Sequence, residues 1–212
     1  LVDLITMFFD AKKHKKILEF GAGIGTLSNL FEEKFSIKPD VIEIDKDLIY
    51  SLKAQGFNVF SSLKSTSKKY DFIYSSNVLE HIKNDTIALQ EIHAKMSNQS
   101  LLVLYLPAFM FLYSDMDKSV GHYRRYDLKN LFVKLRRSKF EVIHSRYVDS
   151  LGFFCLILVK LLGYKEHGNL DNPTNLKFYD KYFFRISIFI DKYLRCNFFL
   201  GKNIIFCENL LL

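Results

Sequence analysis

Three features of the chain predict an α/β fold: a doubly wound, mostly parallel seven-stranded sheet with an antiparallel last strand and a helical insertion before it. Short apolar runs alternate with segments of helical period through the first two thirds of the sequence. A glycine-rich turn, Gly21-Ala22-Gly23-Ile24-Gly25, joins the first of these runs to the first helical segment. The last third breaks the alternation, with two strand-like runs on either side of a long aromatic-rich helical stretch.

In chain order, strands are predicted at Lys16–Phe20, Val41–Ile44, Asn58–Phe60, Phe72–Ser75 and Leu101–Leu106. Amphipathic helices fill Thr26–Phe35, Lys46–Gln55 and Thr86–Met96, with Asp45 and Asp85 as N-caps and Gly56 as a left-handed C-terminal residue. Asp127–Arg137 reads as a helix and Phe140–Val148 as a strand. Leu151–Leu162 and Phe178–Leu194 read as helices of the insertion, and Asn203–Cys207 as the final strand. A chain of 212 residues, half of them hydrophobic, suits one domain with a sizeable core. Residues 1–110 form its cofactor-binding half, and residues 111–212 its substrate loop and helical insertion.

The net charge of +7 is spread along the chain, so most lysines read as solvated surface. The three cysteines, Cys155, Cys196 and Cys207, are odd in number and lie in apolar stretches, as free thiols of a reducing cytoplasm do. No signal peptide is visible, and the longest apolar run, near Leu151–Val159, is shorter than the ~20 residues that span a bilayer.

The stretch Ile17-Leu18-Glu19-Phe20-Gly21-Ala22-Gly23-Ile24-Gly25-Thr26 carries the most chemistry. Glycines allow positive φ and close ligand approach, and the helix that follows offers free N–H groups. The third glycine comes one residue earlier than in the dinucleotide fingerprint, and Glu19 precedes the first glycine by two. The pattern E-x-G-x-G-x-G resembles motif I of the class I S-adenosylmethionine-dependent methyltransferases. Val41-Ile42-Glu43-Ile44-Asp45 and Asp71-Phe72-Ile73-Tyr74-Ser75-Ser76-Asn77-Val78-Leu79-Glu80-His81 resemble that family's second and fourth motifs, in the right order. The stretch from Pro107 through Gly121-His122-Tyr123-Arg124-Arg125-Tyr126 resembles its bacterial small-molecule, quinone-biosynthesis-like branch. The resemblance extends over nearly the whole chain and implies a Rossmann-like fold.

What the resemblance implies is a cytoplasmic enzyme with S-adenosylmethionine as cofactor and S-adenosylhomocysteine as product. Phe20, Gly21, Ala22, Gly23 and Gly25 would wrap the methionine part with Glu19 ordering the loop, and Glu43 would accept from the ribose hydroxyls; Ile44, Ser62, Asn77, Val78 and Leu79 are further cofactor candidates, the adenine being left to Ser61, Ser62 or backbone groups. No carboxylate stands at Phe60-Ser61-Ser62, which departs from the commonest adenine contact. The lack of N-P-P-Y or D-P-P-Y disfavours methylation of nucleic-acid bases, so no nucleic-acid partner is expected. Some relatives bind a divalent metal through E-x-x-E-H, but Asn77 replaces the first Glu here. Glu80 and His81 alone make too few ligands, and no metal is expected.

His81 and His122 are candidate general bases, because an unperturbed imidazole titrates near ~6.5. Asp115, Tyr123, Arg124, Arg125 and Tyr126 are candidate substrate contacts, the two arginines suited to a carboxylate or phosphate. The competing reading of this cluster is a salt-bridged turn. The acceptor is expected to be a small molecule, anionic or lipid-linked among the options, with a weak membrane-surface contact and the oligomeric state left open. A cofactor-binding protein without chemistry and an NAD-dependent oxidoreductase are the alternatives.

Overall fold

The computed structural model describes residues 1–162, 184–194 and 200–210. Its chain order is α1 (Val2–Thr6), β1 (Ile17–Phe20), α2 (Thr26–Phe35), β2 (Asp40–Ile42), α3 (Lys46–Ala54), β3 (Asn58–Phe60), β4 (Tyr70–Ser76), α4 (Asp85–Ala94) and β5 (Met96–Pro107). It continues with α5 (Asp115–Ser119), α6 (Leu128–Arg137), β6 (Phe140–Val148), α7 (Ser150–Leu162), α8 (Phe184–Leu194) and β7 (Asn203–Leu210). The predicted segment 178–183 and Cys196 lie outside the described residues.

One seven-stranded sheet has the order β3-β2-β1-β4-β5-β7-β6. The first five strands are parallel, and β7 runs antiparallel to both β5 and β6. The doubly wound, mostly parallel Rossmann-like sheet with an antiparallel last strand is therefore present, and α7 and α8 lie in the insertion between β6 and β7.

Both faces of the sheet are buried. Leu18, Ile73, Leu102, Leu104 and Phe206 point to one core, while Ile17, Phe72, Tyr74, Val103 and Ile205 point to the other. This alternation along single strands is what a sheet covered on both faces requires, and it explains their near-continuous apolar runs. Asp45 caps α3 by accepting from the Asp47 and Leu48 N–H groups at 2.9 and 3.0 Å. The α4 cap is Asn84 rather than Asp85, its side chain accepting from Ile87 N–H at 3.3 Å. Asp85 is needed elsewhere, as described below. Among the described residues, no helix is long and apolar enough to cross a membrane.

Candidate active site

The carboxyl ends of β1, β2 and β4 meet at the glycine turn. Gly21 and Ala22 N–H groups both donate to Ile42 O at 3.0 Å, which ties the turn to β2. Gly21 has φ +80°, and a Cβ there would lie 2.4 Å from Val78 Cγ2, so only glycine lets the β1 turn and the β4 end approach this closely. Gly23 has φ +56°, and a Cβ on it would meet nothing within 4 Å. Its N–H donates to Glu43 Oε2 at 2.8 Å. Glu43 Oε1 accepts from Ile44 and Asp45 N–H at 2.7 and 3.0 Å.

The other predicted cofactor residues divide into two groups. Glu19 is buried beneath the turn, accepting from the Ser28 and Tyr74 hydroxyls. Burial pushes its carboxyl up to about 8. Ala22 packs behind the turn with Val41, Leu52 and Phe57, and Leu79 is fully buried in the core. Gly25 is buried at the start of α2, where a Cβ would meet Leu52 Cδ2 at 2.8 Å. Phe20 and Ser62 are half-buried. Ile44 and Asn77 are exposed on the cleft side, with Ile44 at 81 %. Asn77 adopts φ +52°, a left-handed conformation that asparagine tolerates better than most residues.

The loop after β5 is built around Asp117, which is 1 % exposed. Its carboxylate accepts from Ser114 N–H at 3.0 Å, and lies 2.8 Å from His122 Nδ1. Arg125 Nε donates to both of its oxygens at 2.9 Å. Burial opposes ionisation, but the His122 and Arg125 hydrogen bonds outweigh it and hold Asp117 at about 2.

Arg124 donates to Ile82 O and Lys83 O at 2.7 Å and lies 3.0 Å from Asp85. Tyr126 OH donates to Asp85 at 2.9 Å, and Lys134 Nζ does so at 2.6 Å. Arg124, Arg125 and Tyr126 therefore lock the loop to the fold, as the salt-bridged reading had it. Asp115 is exposed and paired with Lys118 at 2.8 Å, away from this network. Tyr123 leaves its ring exposed, with its N–H on Glu80 O at 2.8 Å.

Sequence reasoning missed Asp117. Its signal was the spacing Ser114-x-x-Asp117, a helix-start pattern in which each end bonds the other.

The loop brings His122 to the turn after β4. The His81 and His122 rings stand 4.6 Å apart at 81°. Glu80 Oε1 lies 3.9 Å from His122 Nε2. Glu80 is fully buried, and neither carboxylate oxygen meets a donor on another residue. Burial raises Glu80 to about 7, against the charges of His122 and Arg125. Burial and His122 both lower the His81 imidazole, which favours its neutral form.

Residues 1–145, roughly two thirds of the chain, match the family described as "Methyltransferase domain". The chain belongs to this methyltransferase family. No curated protein matches it. Among solved structures, the methyltransferase is similar to a SAM-dependent methyltransferase from Archaeoglobus fulgidus, with 19 % identity and a TM-score of 0.60 over 92 % of this chain and 85 % of that one. It is also similar to the O-methyltransferase of a Brevibacillus brevis trans-AT PKS multienzyme in complex with S-adenosyl-L-homocysteine. That match has 16 % identity and a TM-score of 0.62, over 98 % of this chain and 70 % of that one. The [4+2]-cyclase SpnF, with 15 % identity and a TM-score of 0.65 over 99 % of this chain and 80 % of that one, has the same fold. One fold thus carries different reactions, and the acceptor must be argued from the site.

The methyltransferase's residues fit S-adenosylmethionine. The open space above Gly23 admits a ligand against bare backbone. Glu43 accepts three N–H groups, while an ionised carboxylate has about four acceptor positions, so capacity for a ribose hydroxyl remains. Ile44 and Ile24, 81 % and 67 % exposed, adjoin in sequence the residues whose N–H groups bind that carboxylate, or are among them, and leave apolar surface there. Exposed isoleucines next to a polar anchor suit a flat heteroaromatic ring.

Proposed function

We propose that this methyltransferase transfers a methyl group from S-adenosylmethionine to an oxygen or nitrogen of a small-molecule, glycan or lipid-linked acceptor held under the loop Ser114–Tyr126. The observation that carries the reading is one juxtaposition. The glycine turn, with the open backbone of Gly23 bonded to the Glu43 carboxylate, abuts Val78 just after β4, and His81, three residues further along the same segment, pairs with His122.

The cofactor supplies an already activated sulfonium methyl. The protein's task is orientation and exclusion of water, worth at most ~7–11 kcal/mol. Gly21 and Gly23 admit the cofactor, Glu43 holds its ribose, Ile44 covers its adenine, and Asn77 and Val78 border its reacting end. Asp117 fixes His122 through Nδ1, leaving Nε2 to take a proton from an acceptor hydroxyl, as an aspartate orients a catalytic histidine elsewhere. His81, held largely neutral, is the second candidate base. Of the aromatic and arginine contacts expected in the loop, Tyr123 is the one left exposed for an acceptor to contact. Arg124 and Arg125 are engaged within the protein, so an anionic acceptor has no call on them here.

Calorimetric titration with S-adenosylmethionine and S-adenosylhomocysteine, with NAD as control, tests the pocket. Micromolar binding of both sulfur compounds is expected, abolished by Glu43→Ala and by Gly23→Val. Preference for NAD would overturn the reading. With an acceptor in hand, an unchanged rate and pH profile in the His81→Ala/His122→Ala double variant would remove the base assignment.

A further inference from the structure

The absence of a metal was expected because Glu80 and His81 supply only two ligands. The fold adds a third from 41 residues further along. We propose that Glu80, His81 and His122 form a binding site for one divalent transition-metal ion.

The donor atoms, one carboxylate oxygen and one nitrogen from each imidazole, all lie within 4.8 Å of one another. Tetrahedral zinc with ~2.0–2.2 Å bonds separates its ligands by roughly 3.4 Å, so shifts of about 1.4 Å or less close the set. Side-chain rotation of the exposed His81 is enough for much of that.

Three further observations point to a cation. Glu80 is 0 % exposed, and no other residue donates to its carboxylate, a position that an ionised carboxylate occupies at high cost unless a cation meets it. His122 is already oriented as a ligand: Asp117 lies on Nδ1 at 2.8 Å, and Nε2 faces Glu80. Arg125 in turn fixes Asp117 by two 2.9 Å bonds. A carboxylate behind a ligating histidine is the usual support of a metal site. Finally, one ligand is exposed, so a coordination position stays open to water or to another oxygen.

Two imidazoles and one carboxylate suit zinc, manganese, iron or cobalt better than magnesium or calcium, which prefer oxygen throughout. The open position lies beside the β4 end, where an acceptor hydroxyl bound to the ion would lose its proton more easily. With the ion bound, His81 and His122 serve as ligands and the ion takes over the deprotonation that falls to them in the metal-free site; that role rests on the proposed function, whereas the binding itself does not.

The test is titration of the chelator-treated, desalted chain with Zn²⁺, with Mg²⁺ for comparison, read by calorimetry and by melting temperature. One zinc per chain is expected, well ahead of magnesium, with a raised melting temperature. Glu80→Gln and His122→Ala should each weaken zinc binding at least tenfold and remove the melting shift. Asp117→Asn, which touches only the support, should weaken it by roughly 10–100-fold. S-adenosylmethionine binding by each variant shows that it is folded. Glu80→Gln keeps the side-chain shape and guards against loss of fold in the alanine variant. Absence of saturable zinc binding by the folded wild-type chain would overturn the proposal, as would binding that is unchanged in both Glu80→Gln and His122→Ala. Loss of S-adenosylmethionine binding from the wild type with zinc binding intact would overturn the functional reading and leave the metal site standing.

Discussion

Glu80 and Asp117 are buried carboxyls some 37 positions apart whose environments act in opposite directions. For Glu80 the folded value is about 7, against an ordinary 4.5. Below pH 4.5 folded and unfolded chains both hold the proton. Between 4.5 and 7 the unfolded chain releases it first, so Glu80's contribution to stability falls as pH rises. Glu80→Gln removes that fall. In the metal-free protein it should gain about 3 kcal/mol at pH 8 and close to nothing at pH 4, measured by urea unfolding at both. Asp117, held at about 2, has the opposite sign: its contribution is present above its ordinary 3.8 and is lost as pH falls towards 2. At this scale the glycines, Glu19 and Glu43 were legible, because backbone turns and strand ends are local. Glu80's partner was not, since nothing between Glu80 and His122 in the sequence says that the two side chains will meet.

Asp85 shows how a single element can be read almost correctly. Its place at the start of α4 looked like capping, yet the neighbouring Asn84 performs that task. Asp85 instead receives Tyr126, Lys134 and Arg124, joining α4, the substrate loop and α6. Replacement by alanine would strip a buried anion from two cations and a hydroxyl. A loss of about 3 kcal/mol or more is expected, as for other broken buried pairs. Faster amide exchange in residues 121–128 than in β4 would show that the loop is what loosens. α2, β3 and β6 agree with their predicted bounds and most other elements do to within three residues, but β5 begins at Met96, five residues before the predicted Leu101. The five-residue helices α1 and α5 were not, because so short a helix shows less than two turns of its period.

At the scale of the molecule, the entry to β7 is set by one close approach. A Cβ at Gly201 would lie 2.5 and 2.6 Å from the O and N of Val148, both backbone atoms that have no room to retreat. Gly201→Ala should therefore lower the melting temperature by several degrees while Gly23→Ala, which points into open space, should cost little beyond its own backbone strain of ~1–3 kcal/mol. The same Gly23 variant is expected to lose S-adenosylmethionine binding, whereas Gly201→Ala is expected to keep it at temperatures where it is folded, so binding and not melting temperature separates the two. An antiparallel last strand was foreseen from the pattern of the final third. Its insertion between β5 and β6 was not, because strand order at a sheet edge depends on tertiary packing.

That order has a bearing on how the protein is made. During synthesis β1 to β5 can pair with one another as they leave the ribosome, in the parallel order that the glycine turn requires. β6 emerges next and has no place to go, since its neighbour in the finished sheet is β7, more than fifty residues later. For that interval the edge of β5 and both edges of β6 present unpaired backbone groups, a template for mispairing with other nascent chains. The insertion that separates β6 from β7 thus sets how long those edges stay open during synthesis.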